Sequence, residues 1–121
     1  MFSVNIETGF KASHQLRLQN GKKEPLHDHD WKVLVCVRSE NLDDMGLVID
    51  FHKLKKMSEK TLSTFENKCL NNLDYFEKTN PSAENIAKYI YENIQNQLPD
   101  NIELYSVSVT EEPGCSTKFV K

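Results

Sequence analysis

Two long runs of alternating apolar and polar residues constrain the fold of this 121-residue chain more than any other feature. The first run covers roughly residues 2 to 13, and the second covers about residues 29 to 38. Alternation with a period of two is typical of half-buried strands. The apolar positions of the two runs are Phe2, Val4, Ile6, Phe10 and Ala12, then Trp31, Val33, Val35 and Val37. A polar connection, residues 15–25, separates the runs, which would let them pair as antiparallel neighbours.

Three histidines continue the apolar faces of these two strands. His14 keeps the parity of the first run, and His27 and His29 keep the parity of the second. Because residues two apart in a strand point to the same face, antiparallel pairing would bring all three imidazoles together at one end of the sheet. Three histidine ligands with one open position are typical of catalytic zinc. The alternative is that they are surface or capping residues without a shared role.

The remainder of the chain predicts two helices and two further strands. Asp50 is a good N-cap for a first helix, and Asn80-Pro81-Ser82 begins a second, with the proline suited to the first turn. The first helix presents Leu54, Met57, Thr61, Leu62 and Phe65 on one face, and the second presents Ala83, Ile86, Ala87, Ile90, Ile94 and Leu98. A third strand alternates through Tyr105, Val107 and Val109, and a short strand covers residues 117–120. The order ββααββ predicts an α+β fold, an antiparallel sheet with two helices on one face.

Length, charge and cysteine use narrow the functional class. One domain over residues 1–121 is expected from the length. A net charge of −3 gives no case for nucleic acid or for an anionic membrane, and no apolar run approaches a membrane span. Cys36, Cys69 and Cys115 are odd in number and widely spaced, which favours reduced thiols in a cytoplasm.

Glu111 is the other residue whose position favours a functional role. It continues the parity of the third strand, so that a carboxylate stands at the end of an apolar face. A carboxylate in that position requires a partner or a ligand, and it can accept two parallel hydrogen bonds from adjacent N–H groups of a heterocycle. The alternative is an exposed strand-end carboxylate, as the neighbouring Glu112 is expected to be.

Six blocks in this order resemble the 6-pyruvoyl-tetrahydropterin synthase family, which includes 6-carboxy-tetrahydropterin synthase of queuosine biosynthesis. The blocks are Phe10-Lys11-Ala12-Ser13-His14, His27-Asp28-His29, Gly46-Leu47-Val48-Ile49-Asp50-Phe51 with Leu54-Lys55, Leu70-Asn71, Asn80-Pro81-Ser82-Ala83-Glu84-Asn85-Ile86-Ala87, and Val109-Thr110-Glu111. The resemblance implies the tunnelling fold, in which sheets from several subunits close into a barrel and form a homohexamer with active sites at subunit interfaces. It also implies zinc on His14, His27 and His29, and a pterin substrate bound by Glu111 and Ser82.

The activity implied is that of a zinc-dependent lyase acting on dihydroneopterin triphosphate or a related dihydropterin. Three family features differ here: Asp28 replaces the glycine of His-Gly-His, residues 21–25 lack the family's cysteine, and Glu66-Asn67 stands in place of an Asp-His pair. Glu24 precedes Pro25-Leu26-His27 as in the type III synthases, where a glutamate replaces the cysteine. Glu24 is therefore the candidate catalytic base.

Three other functions can be weighed against this one. A type III-like enzyme would shorten the dihydroneopterin side chain to hydroxymethyl for folate synthesis. A zinc- and pterin-binding homologue with weak or no catalysis would explain the missing Asp-His pair. Glu24 could equally be a solvated residue of a Lys-Lys-Glu loop. A hexameric scaffold without catalysis would leave the three histidines and Glu111 unexplained.

Overall fold

A long antiparallel hairpin forms the centre of the fold in the computed structural model, which describes all residues 1–121. Strand β1 (Phe2–His14) pairs with β2 (His27–Ser39) without interruption, from Phe2 opposite Ser39 to His14 opposite His27. The antiparallel pairing expected from the alternation is thus confirmed. Strand β2 begins two residues earlier than the apolar run indicated, because His27 and Asp28 also pair with β1.

The sheet has five strands in the order β3-β1-β2-β4-β5. Strands β4 (Glu103–Glu112) and β5 (Cys115–Val120) extend the antiparallel pairing, while the two-residue β3 (Lys68–Cys69) lies parallel to β1. The predicted ββααββ order and α+β class are confirmed, with β3 as an addition. Two residues are too short a segment to show a period in the sequence, which is why β3 was not predicted.

Two helices cover one face of the sheet. Helix α1 (Phe51–Leu62) begins at the predicted cap, where Asp50 accepts hydrogen bonds from two backbone N–H groups. Helix α2 (Ala83–Gln95) is capped by the Ser82 hydroxyl. Pro81 therefore lies one residue before the cap and not in the first turn as predicted. Short 3₁₀ turns, at residues 70–72 and 74–76, fill the connection between the helices.

The core lies between these helices and the inward face of the sheet. Its fully buried members include Val33, Val35, Leu54, Phe65, Phe76, Ile86, Ala87, Ile90, Ile94, Val107 and Val109. Phe65 and Leu98 belong to this core, although both follow the ends of the helices to which the sequence assigned them. No helix of this chain is long and apolar enough to span a membrane.

A bulge in β4 overturns one prediction for this strand. Cys36 pairs with Ser106, whereas the next residue, Val37, pairs with Leu104. The extra residue, Tyr105, therefore turns to the outer face, where the Arg38 guanidinium carbon lies 3.2 Å from its ring centroid. Leu104 takes the buried position that the alternation assigned to Tyr105. A bulge adds one residue to one strand, so the residues before it change faces while those after it keep their parity.

Candidate functional site

Three histidine rings converge at the end of the central hairpin. His14 and His27 are direct partners in the ladder, and His29 pairs with Ala12, one pleat further along. The ring centroids lie 4.6 Å apart for His14–His27, 4.6 Å for His27–His29 and 5.3 Å for His14–His29. The structure thus brings together the three residues that strand parity placed on one face.

Hydrogen bonds to carbonyl groups define the tautomers of two of these imidazoles. His14 Nδ1 lies 2.7 Å from the Pro81 carbonyl oxygen, and His27 Nδ1 lies 2.9 Å from that of Pro25. Because a carbonyl oxygen only accepts, each Nδ1 carries the hydrogen, and in the neutral ring Nε2 is then a bare lone pair. The two Nε2 atoms nevertheless face each other at 3.0 Å. The third imidazole, His29, has a buried Nε2 with no hydrogen-bond partner.

Glu111 adds a carboxylate to the three imidazoles. Its Oε1 lies 3.3 Å from His14 Nε2, and its Oε2 lies 3.7 Å from His29 Nε2. It occupies an irregularity of β4, since Thr110 pairs with Ser116 while Glu112 pairs with Cys115, which leaves Glu111 as the extra residue. Bulges beside functional sites often re-aim a side chain in this way. Sequence parity placed Glu111 on the correct face but did not place it in contact with the histidines.

This donor set is suited to a divalent metal ion. One ligand atom from each of His14, His27, His29 and Glu111 lies within 4.8 Å of the others. Tetrahedral zinc with bonds of about 2.0–2.1 Å holds its ligand atoms roughly 3.3 Å apart. The observed separations of 3.0, 3.3 and 3.7 Å are close to that value. Converging lone pairs repel each other, so a cation between them would remove an unfavourable arrangement.

The surroundings of His14 keep its ring neutral and fixed. Burial lowers the pKa of His14 below its ordinary value of 6.5, against the opposing effects of the Pro81 carbonyl and the Glu111 carboxylate. Trp31 packs edge-on against both His14 and His29, with centroid distances of 4.8 and 5.4 Å. The Trp31 indole N–H donates to the Ala12 carbonyl oxygen at 3.1 Å, and this hydrogen bond fixes the indole ring against the two imidazoles. A neutral, immobile imidazole is the form that binds metal.

Glu24 lies beside this cluster and does not point into bulk solvent. Its Oε1 accepts a hydrogen bond from the Leu16 backbone N–H at 3.0 Å, and its own N–H donates to the Leu16 carbonyl oxygen. The same Oε1 is 4.0 Å from His27 Nε2. The Glu24 side chain is 29 % exposed, so one carboxylate is both held by the loop and open to a ligand at the cluster.

Two asparagines that sequence reasoning left without a role hold the segment after His14. The Asn71 side chain accepts from Gln15 N–H at 2.9 Å and donates to the Gln15 carbonyl at 2.8 Å. Asn80 makes the same pair of bonds with Arg17, at 2.8 and 3.0 Å. The two amides thereby bind the backbone of the residues that follow the end of β1. Leu16 lies between these two residues, and its backbone N–H and carbonyl bond to Glu24 instead. Asn71 and Asn80 both lie in the six sequence blocks described above, and membership of those blocks was the available signal for a role.

A pocket of about 350 Å³ opens next to the cluster, with Glu111 in its wall. The other lining residues are Leu16, Ser82, Ala83, Glu84, Gly114, Cys115, Ser116 and Thr117. Ser82 lines it at the start of α2, where its hydroxyl accepts from Asn85 N–H at 3.2 Å. The pocket therefore contains both predicted substrate-binding residues, Ser82 and Glu111, and meets the histidine cluster at Glu111.

Other candidates for chemistry lie outside the cluster. Glu66 accepts a hydrogen bond from the Lys11 backbone at 3.1 Å, and His52 is exposed on α1. No cysteine belongs to the group of possible metal ligands. Cys115 is exposed and lines the pocket.

Comparisons with known proteins agree with this architecture. A family model described as 6-pyruvoyl tetrahydropterin synthase matches residues 3–121. Dihydroneopterin monophosphate aldolase of Pyrococcus furiosus is 33% identical over 108 residues, covering 89% of this chain and 88% of the relative. The 6-carboxy-5,6,7,8-tetrahydropterin synthase of Bacillus subtilis is 29% identical over 125 residues, covering 99% and 78%. The solved structure of Caenorhabditis elegans 6-pyruvoyl tetrahydropterin synthase superposes with a TM-score of 0.85 at 23% identity, covering 99% of this chain and 95% of that one.

Proposed function

Because this chain belongs to the 6-pyruvoyl tetrahydropterin synthase family, we propose that it is a zinc-dependent lyase acting on the side chain of a dihydropterin, with residues 1–121 as one domain. The substrate proposed is dihydroneopterin triphosphate or a closely related dihydropterin, as in 6-pyruvoyl- and 6-carboxy-tetrahydropterin synthases. One observation carries the proposal: four potential metal ligands lie within 4.8 Å of one another beside a pocket that shares Glu111 with them.

His14, His27 and His29 are the residues that would hold the zinc. When bound, the ion would supply Lewis acidity to the substrate side chain, making its neighbouring C–H and O–H groups more acidic. The Pro81 and Pro25 carbonyls orient two of the imidazoles by accepting from Nδ1–H, which leaves each Nε2 free to coordinate. Glu24 is the proposed base, since its carboxylate is held 4.0 Å from His27 Nε2 by the Leu16 backbone.

Glu111 and Ser82 are the residues proposed to bind the pterin ring. The ring presents adjacent N–H donors, which a carboxylate can accept side by side. Both residues face the same pocket of about 350 Å³, a volume in the range expected for a small-molecule site.

A second candidate reaction is carbon–carbon cleavage that shortens the dihydroneopterin side chain to hydroxymethyl. It is supported by Glu24, which lies next to the cluster, whereas no cysteine belongs to the cluster. The relative that is 33% identical is itself an aldolase for dihydroneopterin monophosphate. In this reaction Glu24 would take the proton from the C2′ hydroxyl while the C1′–C2′ bond breaks. The electron pair of that bond would pass into the dihydropterin, C1′ would be protonated, and C2′ and C3′ would leave as a two-carbon aldehyde.

The product formed by the purified, zinc-loaded protein tests both reactions. We would incubate the protein with dihydroneopterin triphosphate, and separately with dihydroneopterin and its monophosphate, and identify the pterin products by mass. A 6-pyruvoyl or 6-carboxy tetrahydropterin supports the synthase reaction, and a 6-hydroxymethyl dihydropterin supports side-chain shortening. Binding without turnover of any of the three would contradict both and favour a catalytically weak homologue.

We also propose that the protein is a homohexamer with active sites at subunit interfaces, acting in the cytoplasm. The three cysteines are free, which agrees with a reducing compartment. Strands β3 and β5 leave both sheet edges unpaired, and closure of sheets into a barrel between subunits would remove such edges. Light scattering should give about six times the chain mass of 14.0 kDa. A mass of one chain at micromolar concentration would contradict the hexamer.

A further inference from the structure

Glu111 lies at the boundary between the histidine cluster and the pocket, and each side offers it a different partner. We propose that Glu111 is an exchangeable ligand: its carboxylate completes the donor set of the metal in the substrate-free protein and leaves it for the N–H groups of an entering pterin. This inference rests on the proposed zinc site and adds a role that the three histidines do not have.

The contacts on the cluster side are those of a metal ligand. The two carboxylate oxygens approach two different imidazoles, at 3.3 Å from His14 Nε2 and 3.7 Å from His29 Nε2. The Nδ1–H of His14 is already donated to Pro81, so the neutral ring has no hydrogen to offer Glu111. His29 Nε2 is buried and has no hydrogen-bond partner. An anionic oxygen facing the lone pair of His14 Nε2 is unfavourable unless a cation lies between them.

The contacts on the pocket side leave Glu111 free to move. Its side chain is 28% exposed and shares the pocket wall with Ser82 and Thr117. The carboxylate makes polar contacts with His14 and His29 alone, so no backbone N–H fixes it in place. Its position in the irregularity near the end of β4 also gives the side chain a different direction from that of a regular strand residue.

One carboxylate cannot serve both partners at once. The adjacent N–H donors of a pterin lie across the ring from the side chain that would face the metal, so a carboxylate that accepts both of them lies away from the metal. The free protein would then have a closed set of four ligands, and the pterin-bound protein an open position of the kind that catalytic zinc sites keep. The site would therefore open only when the ring that carries the reactive side chain is in place.

Cobalt binding tests this exchange without any turnover. Co²⁺ would replace zinc in the metal-free protein, because its visible absorption reports the number and type of ligands. The parent, Glu111→Gln and the control Glu112→Gln would each be titrated with Co²⁺ and then with unsubstituted pterin. That probe has the N–H edge of the substrate but no side-chain oxygens. Binding of the probe would be followed independently by its fluorescence.

In the parent, we expect pterin binding to change the cobalt spectrum. Glu111→Gln should bind Co²⁺ at least about 10-fold more weakly and show an altered spectrum before pterin is added, with no further change afterwards. Glu112→Gln should behave like the parent, because Glu112 is exposed and lies outside the group of possible ligands.

Two results would overturn the exchange while leaving the zinc site intact. One is a Glu111→Gln protein with the cobalt affinity and spectrum of the parent. The other is a parent whose cobalt spectrum stays constant although pterin binds, or which binds no pterin at all. A parent that binds no Co²⁺ would overturn both the zinc site and the exchange, so the two failures are distinguishable.

Discussion

Replacing His29 with alanine should remove most of the zinc from the purified protein. The parent is expected to hold one zinc per chain, whereas His29→Ala should hold a small fraction of that. His29 Nε2 is buried and lacks any hydrogen-bond partner, and a bound cation would supply one. Loss of a metal ligand should weaken binding by more than the roughly 10–100-fold typical of changes in the partners of metal ligands. Elemental analysis of dialysed protein measures the difference.

His52→Ala is the matched control, because His52 is exposed on α1 and lies outside the cluster. Its zinc content should equal that of the parent. Thermal unfolding gives a second measurement, since a ligand at 100 times its Kd stabilises a fold by about 2.7 kcal/mol. A chelator should therefore lower the Tm of the parent and of His52→Ala but leave that of His29→Ala unchanged. Equal zinc in His29→Ala and the parent would remove the proposed site.

Replacing Glu24 with glutamine should lower turnover by about 10²–10⁴-fold, the usual contribution of a positioned general base. Glutamine keeps the size of the side chain, and its amide oxygen can still accept from the Leu16 N–H that now holds Glu24 at 3.0 Å. It cannot take a proton from the substrate. Zinc content and pterin affinity should be unchanged, because these depend on the histidines and on Glu111. Steady-state kinetics with the substrate that the parent turns over would measure the loss.

Glu40→Gln provides the control for this substitution. Glu40 is exposed and follows β2 at the end of the hairpin opposite the cluster, so its neutralisation changes the net charge equally without touching the site. Glu24→Gln with the turnover of the parent would make Glu24 an ordinary loop residue. The proton would then have to pass to a group other than Glu24.

The aldolase and synthase reactions place different demands on this base. Side-chain cleavage needs one proton taken from a hydroxyl, whereas the synthase reaction requires protons to be moved between side-chain carbons and oxygens. Glu66-Asn67 stands where the resemblance expects an Asp-His pair, and Glu66 is engaged with the Lys11 backbone. A site with one carboxylate base therefore fits the simpler reaction at least as well, which is why the product assay includes dihydroneopterin and its monophosphate.

The convergence of the three histidines could be derived from the sequence alone. His14 continues the parity of Phe10 and Ala12, and His27 and His29 continue that of Trp31. Alternation with a period of two is a local and rigid property of an extended backbone. Because the two runs are neighbours along the chain, few pairings other than an antiparallel hairpin were available to them. The pairing of His14 with His27 is the result. The helix cap at Asp50 was also predictable from local sequence, because a cap depends on neighbours within three residues. At the second helix the sequence located the start near residues 80–82 but placed Pro81 in the first turn, whereas Pro81 precedes the Ser82 cap.

Only the tertiary structure decided the remainder of the site. The bulges that turn Tyr105 outward and leave Glu111 unpaired in β4 arise from register with neighbouring strands, which alternation along one strand does not encode. The amides of Asn71 and Asn80 hold backbone groups 56 and 63 positions away. Glu24 reaches the histidines because that clamped segment presents Leu16 to it. Such contacts depend on how distant segments pack, and no periodic pattern in the chain records them.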